Sequence, residues 1–397
     1  MARPGIVRPF QMTDIPQVAE LHRNVFRISV QPRFQIERQY LDYLNEFILD
    51  NTWGHTGLHS LVYETAGGTI VGFLGVRPQP MRIREKPMLA AVSSQFIVDR
   101  NHRSSLAGIH LLKAFLAGPQ ELSIVDEASE SSRKLWHQFG GSTALLQSIF
   151  WARILRPCRF LLSRLQIRRG KSLVHSALSP ILHIADEIAA VIPGNPFALT
   201  RPDDNFEHSS KEELLDCMRA VTCKWELHPA YESHSLNRIL TVLESRSEHG
   251  PLRNGIVRNS SGCVTGWFIY HAKRHGLGEV LQIGAVPNSY ELVLDQLFFD
   301  ARQQGVVALS GRMQPEFMDN LREKHCLFHH RGYWTLIHSR NSDALHAIHS
   351  GNAFLTRLEG EWPMRFDISG SHPLFNEDDM DAQAARSIQQ DMTHAAR

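Results

Sequence analysis

The stretch Phe96-Ile-Val-Asp-Arg-Asn-His-Arg-Ser-Ser-Leu-Ala-Gly-Ile-His-Leu-Leu-Lys113, followed by the apolar run Leu122 to Val125 and then by Ser129-Glu-Ser-Ser-Arg-Lys-Leu-Trp-His-Gln-Phe-Gly-Gly141, decides the fold. It reads as a strand feeding a short basic, small-residue turn that opens a helix. Such a junction aims unpaired backbone N–H groups and the positive end of the helix at one spot, which suits a phosphate. Ile109, Leu111, Leu112, Phe115 and Leu116 form a one-sided apolar stripe that would pack the helix on a sheet and so fix its N-terminus. The anion would be held by backbone N–H groups near Ser104, Ser105, Ala107 and Gly108, with Arg103 adding a charge-assisted contact. A helix dipole contributes only about 0.3–1 kcal/mol, so several N–H groups and the arginine share the task.

On these residues the chain resembles the GNAT superfamily of acyl-CoA-dependent N-acyltransferases. In that family a strand leads into Arg or Gln, two residues, Gly, one residue, Gly or Ala, and then a helix. Arg103 matches the first position and Gly108 the last, while Leu106 occupies the first glycine position. Phe96 and Val98 match the splayed strand whose backbone pairs with pantetheine in the family. The next family motif, a helix start with Asn or Ser and an aromatic ahead of a Gly-containing turn, is matched by Ser129, Ser132, Leu135, Trp136, Phe139 and Gly140. Trp136 stands where the family often has a tyrosine as general acid, and indole cannot deliver that proton. The resemblance implies acetyl-CoA or another acyl-CoA as co-substrate, no metal, and direct attack of an amine on the thioester. The oxyanion would be stabilised by the backbone N–H of Val98 or a neighbour.

The elements ahead of this stretch keep the same order. Ile6-Val-Arg-Pro-Phe precedes a helix with Thr13 as its expected N-cap and Asp14 and Pro16 in the opening turn. Leu61-Val-Tyr-Glu and Thr69-Ile-Val-Gly-Phe-Leu-Gly-Val read as a hairpin turning at Gly67-Gly68. Val257-Arg-Asn-Ser-Ser-Gly-Cys-Val-Thr-Gly-Trp echoes that hairpin. After it come an expected strand Val280 to Val286, helix Ser289 to Gln304, strand Gly305 to Ser310, helix Pro315 to Lys324 and strand Tyr333 to His338. The second half has Pro287-Asn-Ser-Tyr where the first has its Arg and Gly. The expected fold class is therefore α/β (α+β): two tandem GNAT-like domains, each a mixed, mostly antiparallel twisted sheet flanked by helices. The first spans 1–150 and binds acyl-CoA; 151–200 is a basic, apolar helical linker; 201–366 is a degenerate second copy; 367–397 reads as a disordered polar tail.

A chain of 397 residues with 43% hydrophobic and 21% charged residues is ordinary for a globular protein of two or three domains. A net charge of +1 argues against a global attraction to nucleic acid. No signal-peptide core and no uninterrupted apolar run of about 18 residues is seen, which predicts a cytoplasmic location. The five cysteines, Cys158, Cys217, Cys223, Cys263 and Cys326, form a scattered odd set that suits reduced thiols. Arg153 to Lys171 carries seven basic and no acidic residues, which would suit a membrane surface or an acidic partner; the plainer reading is an interdomain helix with a solvated basic face.

Candidate catalytic residues are Asp126 and Glu127, expected just after the strand Leu122 to Val125, and His137, whose imidazole titrates near neutral pH. Ordinary loop carboxylates and a solvated histidine are the competing readings. Ser93, Ser94 and Gln95 would line the acceptor pocket. His325, Cys326, His329 and His330 look like a metal cluster but read as surface histidines at a helix end. The acceptor would be an amine of a small molecule, amino sugar or peptide. Two other readings keep the fold: a catalytically weak binding scaffold, and an aminoacyl-tRNA-dependent transferase for a cell-wall precursor.

Overall fold

The computed structural model describes residues 5–26, 37–38, 41–42, 57–162, 182, 184–188, 190–192, 194–202, 205–207 and 210–364. In chain order its strands are β1 (Ile6–Pro9), β2 (Leu61–Glu64), β3 (Ile70–Ile83), β4 (Lys86–Val98), β5 (Leu122–Ala128), β6 (Ser142–Thr143), β7 (Ile149–Ile154), β8 (Asn205–Glu207), β9 (Leu227–Pro229), β10 (Leu252–Arg258), β11 (Val264–His271), β12 (Leu277–Ala285), β13 (Ala308–Arg312), β14 (Leu327–His330) and β15 (Trp334–Ser339). The principal helices are α1 (Ile15–Phe26), α2 (Ala107–Leu116), α3 (Glu130–Gln138), α4 (Lys211–Thr222), α5 (Ser233–Ser245), α6 (Tyr290–Gln303) and α7 (Ser342–His349). The expected tail at 367–397 and residues 163–181 of the expected linker lie outside the described residues.

The chain forms two compact units. One is built from the described residues of Met1–Leu145, Trp225–Ala230 and Gly332–Leu374, the other from those of Leu146–Lys224 and Tyr231–Arg331. The first unit's sheet has the order β1-β2-β3-β4-β5-β15-β6, with β9 added on β3. It is antiparallel except where β4 and β5 run parallel. The second unit's sheet has the order β14-β7-β13-β12-β11-β10-β8, again antiparallel except for β12 beside β13.

These memberships differ from contiguous domains at 1–150 and 201–366. The strand expected to close the second half, β15, pairs with β5 through Trp334↔Ala128, Leu336↔Val125 and Ile337↔Ile124. Residues 151–154, expected in the helical linker, instead belong to β7, which lies between β14 and β13 of the second unit. The physical reason is burial on both faces of each strand. Leu336 packs with Leu111, Phe115 and Trp136 and Ile337 with Leu122, Ile124 and Ile348, while Trp151 packs with Phe268, Phe298 and Leu309. Such strands are stable only inside a sheet.

The two hairpins singled out in the sequence have matching turns. Thr65 N donates to Thr69 O (2.9 Å) and Gly68 N to Thr65 O (2.9 Å); Asn259 N donates to Cys263 O (2.9 Å) and Gly262 N to Asn259 O (2.8 Å). Gly68 and Gly262 have φ of 79° and 78°, a conformation in which a Cβ is costly. The start of α1 corrects the expected Thr13 cap. A 3-10 turn, Met12–Asp14, leads into the helix, and Asp14 accepts from Gln11 N (2.8 Å) while Arg8 clamps its carboxylate (2.6 and 2.8 Å).

Because β15 is an inner strand of the first sheet, a chain ending at Arg331 is expected to leave unprotected those amides of β5 that face β15. Hydrogen exchange at Leu122–Ala128 would show it, whereas contiguous domains would keep these amides protected.

His329 on β14 is buried near Phe150, and that burial, reinforced by the Arg331 charge, pushes its imidazole from 6.5 down to about 4. The unfolded chain then binds the proton first as pH falls from 6.5, so stability drops through pH 6.5 to 4. Wild type is expected to lose up to about 3 kcal/mol more than His329→Phe over that window, read by denaturant titration at each pH.

Candidate active site

In the first unit the parallel ladder of β4 and β5 is only three residues long: Ala90↔Leu122, Ala91↔Ser123 and Val92↔Ile124. From Ser93 on one arm and Val125 on the other, the strands part with no ladder between them. β4 is turned aside by a bulge. It pairs with β3 at Phe73↔Ile97 and then at Gly75↔Ser94, so Gln95 and Phe96 share one opposing residue, and Gln95 has φ 51°. A bulge of this kind bends the strand and raises its twist. Gln95 Oε1 lies 2.9 Å from Nε2 of the buried His22 on α1, which fixes the bulge from one face.

After β4 the chain forms the predicted strand-turn-helix junction. Asp99 accepts from Asn101 N (2.9 Å) at the head of a 3-10 turn, Arg100–Ser105, and Leu106 sits at φ 60°, ψ 15° immediately before α2. No side chain caps α2, so the N–H groups of its first turn lack both an intrahelical partner and a capping side chain. Arg103, Ser104 and Ser105 lie in the turn; their side chains are outside the described residues. A Cβ on Gly108 would stand 3.5 Å from the Phe96 ring and 3.5 Å from Val98 Cγ2, so Phe96, Val98 and the first turn of α2 meet at the end of β4, with Ala107 buried beneath.

On the other arm β5 extends to Ala128, three residues beyond the expected end, because β15 pairs along it to that point. Asp126 and Glu127 therefore lie within the strand and not after it. Asp126 is buried, and its Oδ1 accepts from Glu361 N at 2.7 Å. A Cβ on Gly360 would fall 1.9 Å from Asp126 Oδ2, so only glycine lets this backbone approach so closely. Glu127 is half-buried. Ser129 caps α3 by accepting from Ser132 N (3.3 Å), and the two hydroxyl oxygens are 3.2 Å apart. Trp136 is buried 6.2 Å from Phe115, while His137 is exposed with Nε2 2.8 Å from Thr143 Oγ1.

One part of this region went unread in the sequence: the buried segment Ala353–Met364. Arg77 donates to Glu359 O (2.7 Å) and to Gln79 Oε1 (2.7 Å), Thr356 N and Oγ1 donate to Glu359 Oε2 (2.8 and 2.6 Å), and the Arg357 guanidinium stacks 4.0 Å above Trp362. Phe354-Leu355 and Trp362-Pro-Met were the apolar signals that could have marked it as core. Among the described residues no three His, Cys, Asp or Glu side chains could hold a metal ion, and no helix is long and apolar enough to cross a membrane.

No protein-family model matches the sequence, and no curated protein matches it. Solved structures do. A GCN5-related N-acetyltransferase from Anabaena variabilis superposes with a TM-score of 0.55 at 11% identity, covering 86% of this chain and 75% of its own. A conserved protein from Enterococcus faecalis V583, described as a probable N-acyltransferase, gives 0.54 at 10% identity over 85% and 72%. A GCN5-related N-acetyltransferase from Kribbella flavida gives 0.50 at 10% over 84% and 71%. The fold is that of the GCN5-related N-acetyltransferases.

In this GNAT-fold chain the second unit has a divergence of its own. Its parallel ladder is also three residues long, Leu277–Glu279 with Ala308–Ser310, and Asn288, at φ 67°, precedes α6. Here, however, the chain's own side chains bond the carbonyls along the parted stretch of β12. Gln314 Nε2 donates to Ile283 O (2.9 Å) and Lys224 Nζ to Ala285 O (3.1 Å). At the fork, Arg331 pairs with Glu279 (3.2 and 3.3 Å) and donates to Ser310 Oγ (2.6 Å), all three buried.

Asp126→Ala is expected to lower stability by about 1–3 kcal/mol, because it leaves the Glu361 N–H without its acceptor. Asp126→Asn, which keeps one oxygen acceptor, is expected to lose less. Chemical denaturation distinguishes this anchoring role from a catalytic one, which would change rate without changing stability.

Proposed function

We propose that the first unit is an N-acyltransferase that moves an acetyl or other acyl group from acyl-CoA to an amine. The observation that carries this reading is the junction of the parted strands with the uncapped start of α2, which presents strand backbone to a pantetheine chain and helix N–H groups to a pyrophosphate. Arg103, Ser104, Ser105, Ala107 and Gly108 take the phosphates, and Phe96 and Val98 take the pantetheine arm. A neutral amine attacks the thioester carbonyl, the N–H of Val98 or a neighbour stabilises the oxyanion, and the coenzyme thiolate leaves. Water relays the amine proton, with Glu127 and His137 as its acceptors. Asp126 serves the fold by anchoring Gly360 and Glu361. The second unit is a degenerate copy, whose own Gln314 and Lys224 occupy the strand carbonyls a ligand would use.

A binding scaffold is the second reading. It is favoured by Trp136, which is buried and without an acidic proton where the family often has a tyrosine.

Calorimetric titration of acetyl-CoA and free coenzyme A tests the choice. Wild type is expected to bind at micromolar concentration and Arg103→Ala about tenfold or more weakly. Leu106→Gly, which relieves a left-handed residue that is half exposed, is expected to bind as well or better and to hold or raise stability, by up to about 1 kcal/mol. No binding at millimolar coenzyme would leave the scaffold reading in front.

A further inference from the structure

Residues 184–188, 190 and 191 of the second unit are helical, and this short helix is turned inside out. Ile184, Ile188, Val191 and Ile192 fall within one stripe about 100° wide and are 60, 53, 76 and 47% exposed, whereas Asp186 is fully buried and Ala190 nearly so. The inversion is held by hydrogen bonds. Asp186 Oδ1 accepts from Cys158 N (2.7 Å) and Oδ2 from Arg159 N (3.3 Å), Asp186 O accepts from Arg302 Nη2 (2.8 Å), and Glu187 pairs with Arg156 (2.7 Å) and Arg302 (3.0 Å). Rotating the helix to hide its isoleucines would break all of these contacts and bury or strand two carboxylates. Leu161, on the segment whose backbone Asp186 caps, is also exposed.

The covering surface is indicated by charge. From Ser131 to Ala185 the sequence contains no Asp or Glu, and Arg153 to Lys171 contains seven basic residues. Arg153 and Arg156 are buried and engaged within the unit, and so are not part of the solvated basic face expected of this run. Arg159, whose N–H donates to Asp186 (3.3 Å), lies next to this helix, and Arg164, Arg168, Arg169 and Lys171 follow it in the sequence. A few protruding aliphatic side chains next to basic sequence suit an anionic lipid surface, where shallow apolar insertion and attraction to headgroups act together. Four aliphatic side chains fall well short of a stable protein interface with a second copy of this chain.

The geometry points to peripheral binding of anionic membranes through Ile184, Ile188, Val191 and Ile192. This inference is independent of the acyltransferase reading. Co-sedimentation of the full chain with phosphatidylcholine vesicles, with and without phosphatidylglycerol, tests it. Wild type is expected to bind the mixed vesicles at least about tenfold more strongly than phosphatidylcholine alone, and to be released by salt. Ile188→Asp with Val191→Asp is expected to abolish that binding while thermal unfolding stays unchanged. Val191→Asp alone, at the most exposed position, serves if the double variant misfolds. No binding to mixed vesicles, or equal binding by the variants, would overturn the inference. So would conversion of a wild-type dimer to a monomer by Val191→Asp, which would assign the stripe to self-association.

Discussion

The structure of the first unit depends on how few residues its two parallel strands share. Three register pairs, from Ala90 to Val92 against Leu122 to Ile124, hold β4 and β5 together, and beyond them the ladder stops. What keeps the strands apart is supplied from both sides. The bulge at Gln95, braced by His22, bends β4, while β15 holds β5 along its other edge as far as Ala128. Backbone groups left in such a gap require partners. The fork therefore opens at the end of β4 that leads into the helix start at Leu106 and Ala107.

The second unit shows the same constraint met in another way. Its strands also part after three pairs, but the carbonyls of Ile283 and Ala285 beyond the ladder are satisfied by Gln314 and Lys224, and the fork is fixed by the buried Arg331–Glu279 pair. A gap closed by side chains saves the unit from leaving polar groups unpaired. Removing either partner of the Arg331–Glu279 pair would strand a buried charge, which is far more costly than an absent pair.

Much of this was legible in local sequence. The two glycine-turn hairpins, the Leu122 strand, the amphipathic α2 and its basic entry turn each have patterns set by near neighbours, and each formed. What escaped was non-local. Nothing within Trp334–Ser339 says which sheet will take it, because an apolar strand buried on both faces fits either. The end of β5 was misplaced for the same reason, since its last pairs come from a strand more than two hundred residues later. The contact of Asp126 with Gly360 and Glu361 escaped because its partners are equally distant in sequence. The start of α1 differs more simply: the helix is entered through a 3-10 turn capped at Gln11, whose N–H is held by Asp14, itself clamped by Arg8.

The placement of β15 also bears on how the protein is made. During synthesis β5 emerges with one edge open, and the strand that covers it is 211 residues from complete. At about 5–20 residues per second that interval lasts roughly 10–40 s. An unpaired, apolar strand edge exposed for so long invites pairing with other nascent chains. The first unit, though first out of the ribosome, cannot complete its sheet until nearly all of the second has been synthesised.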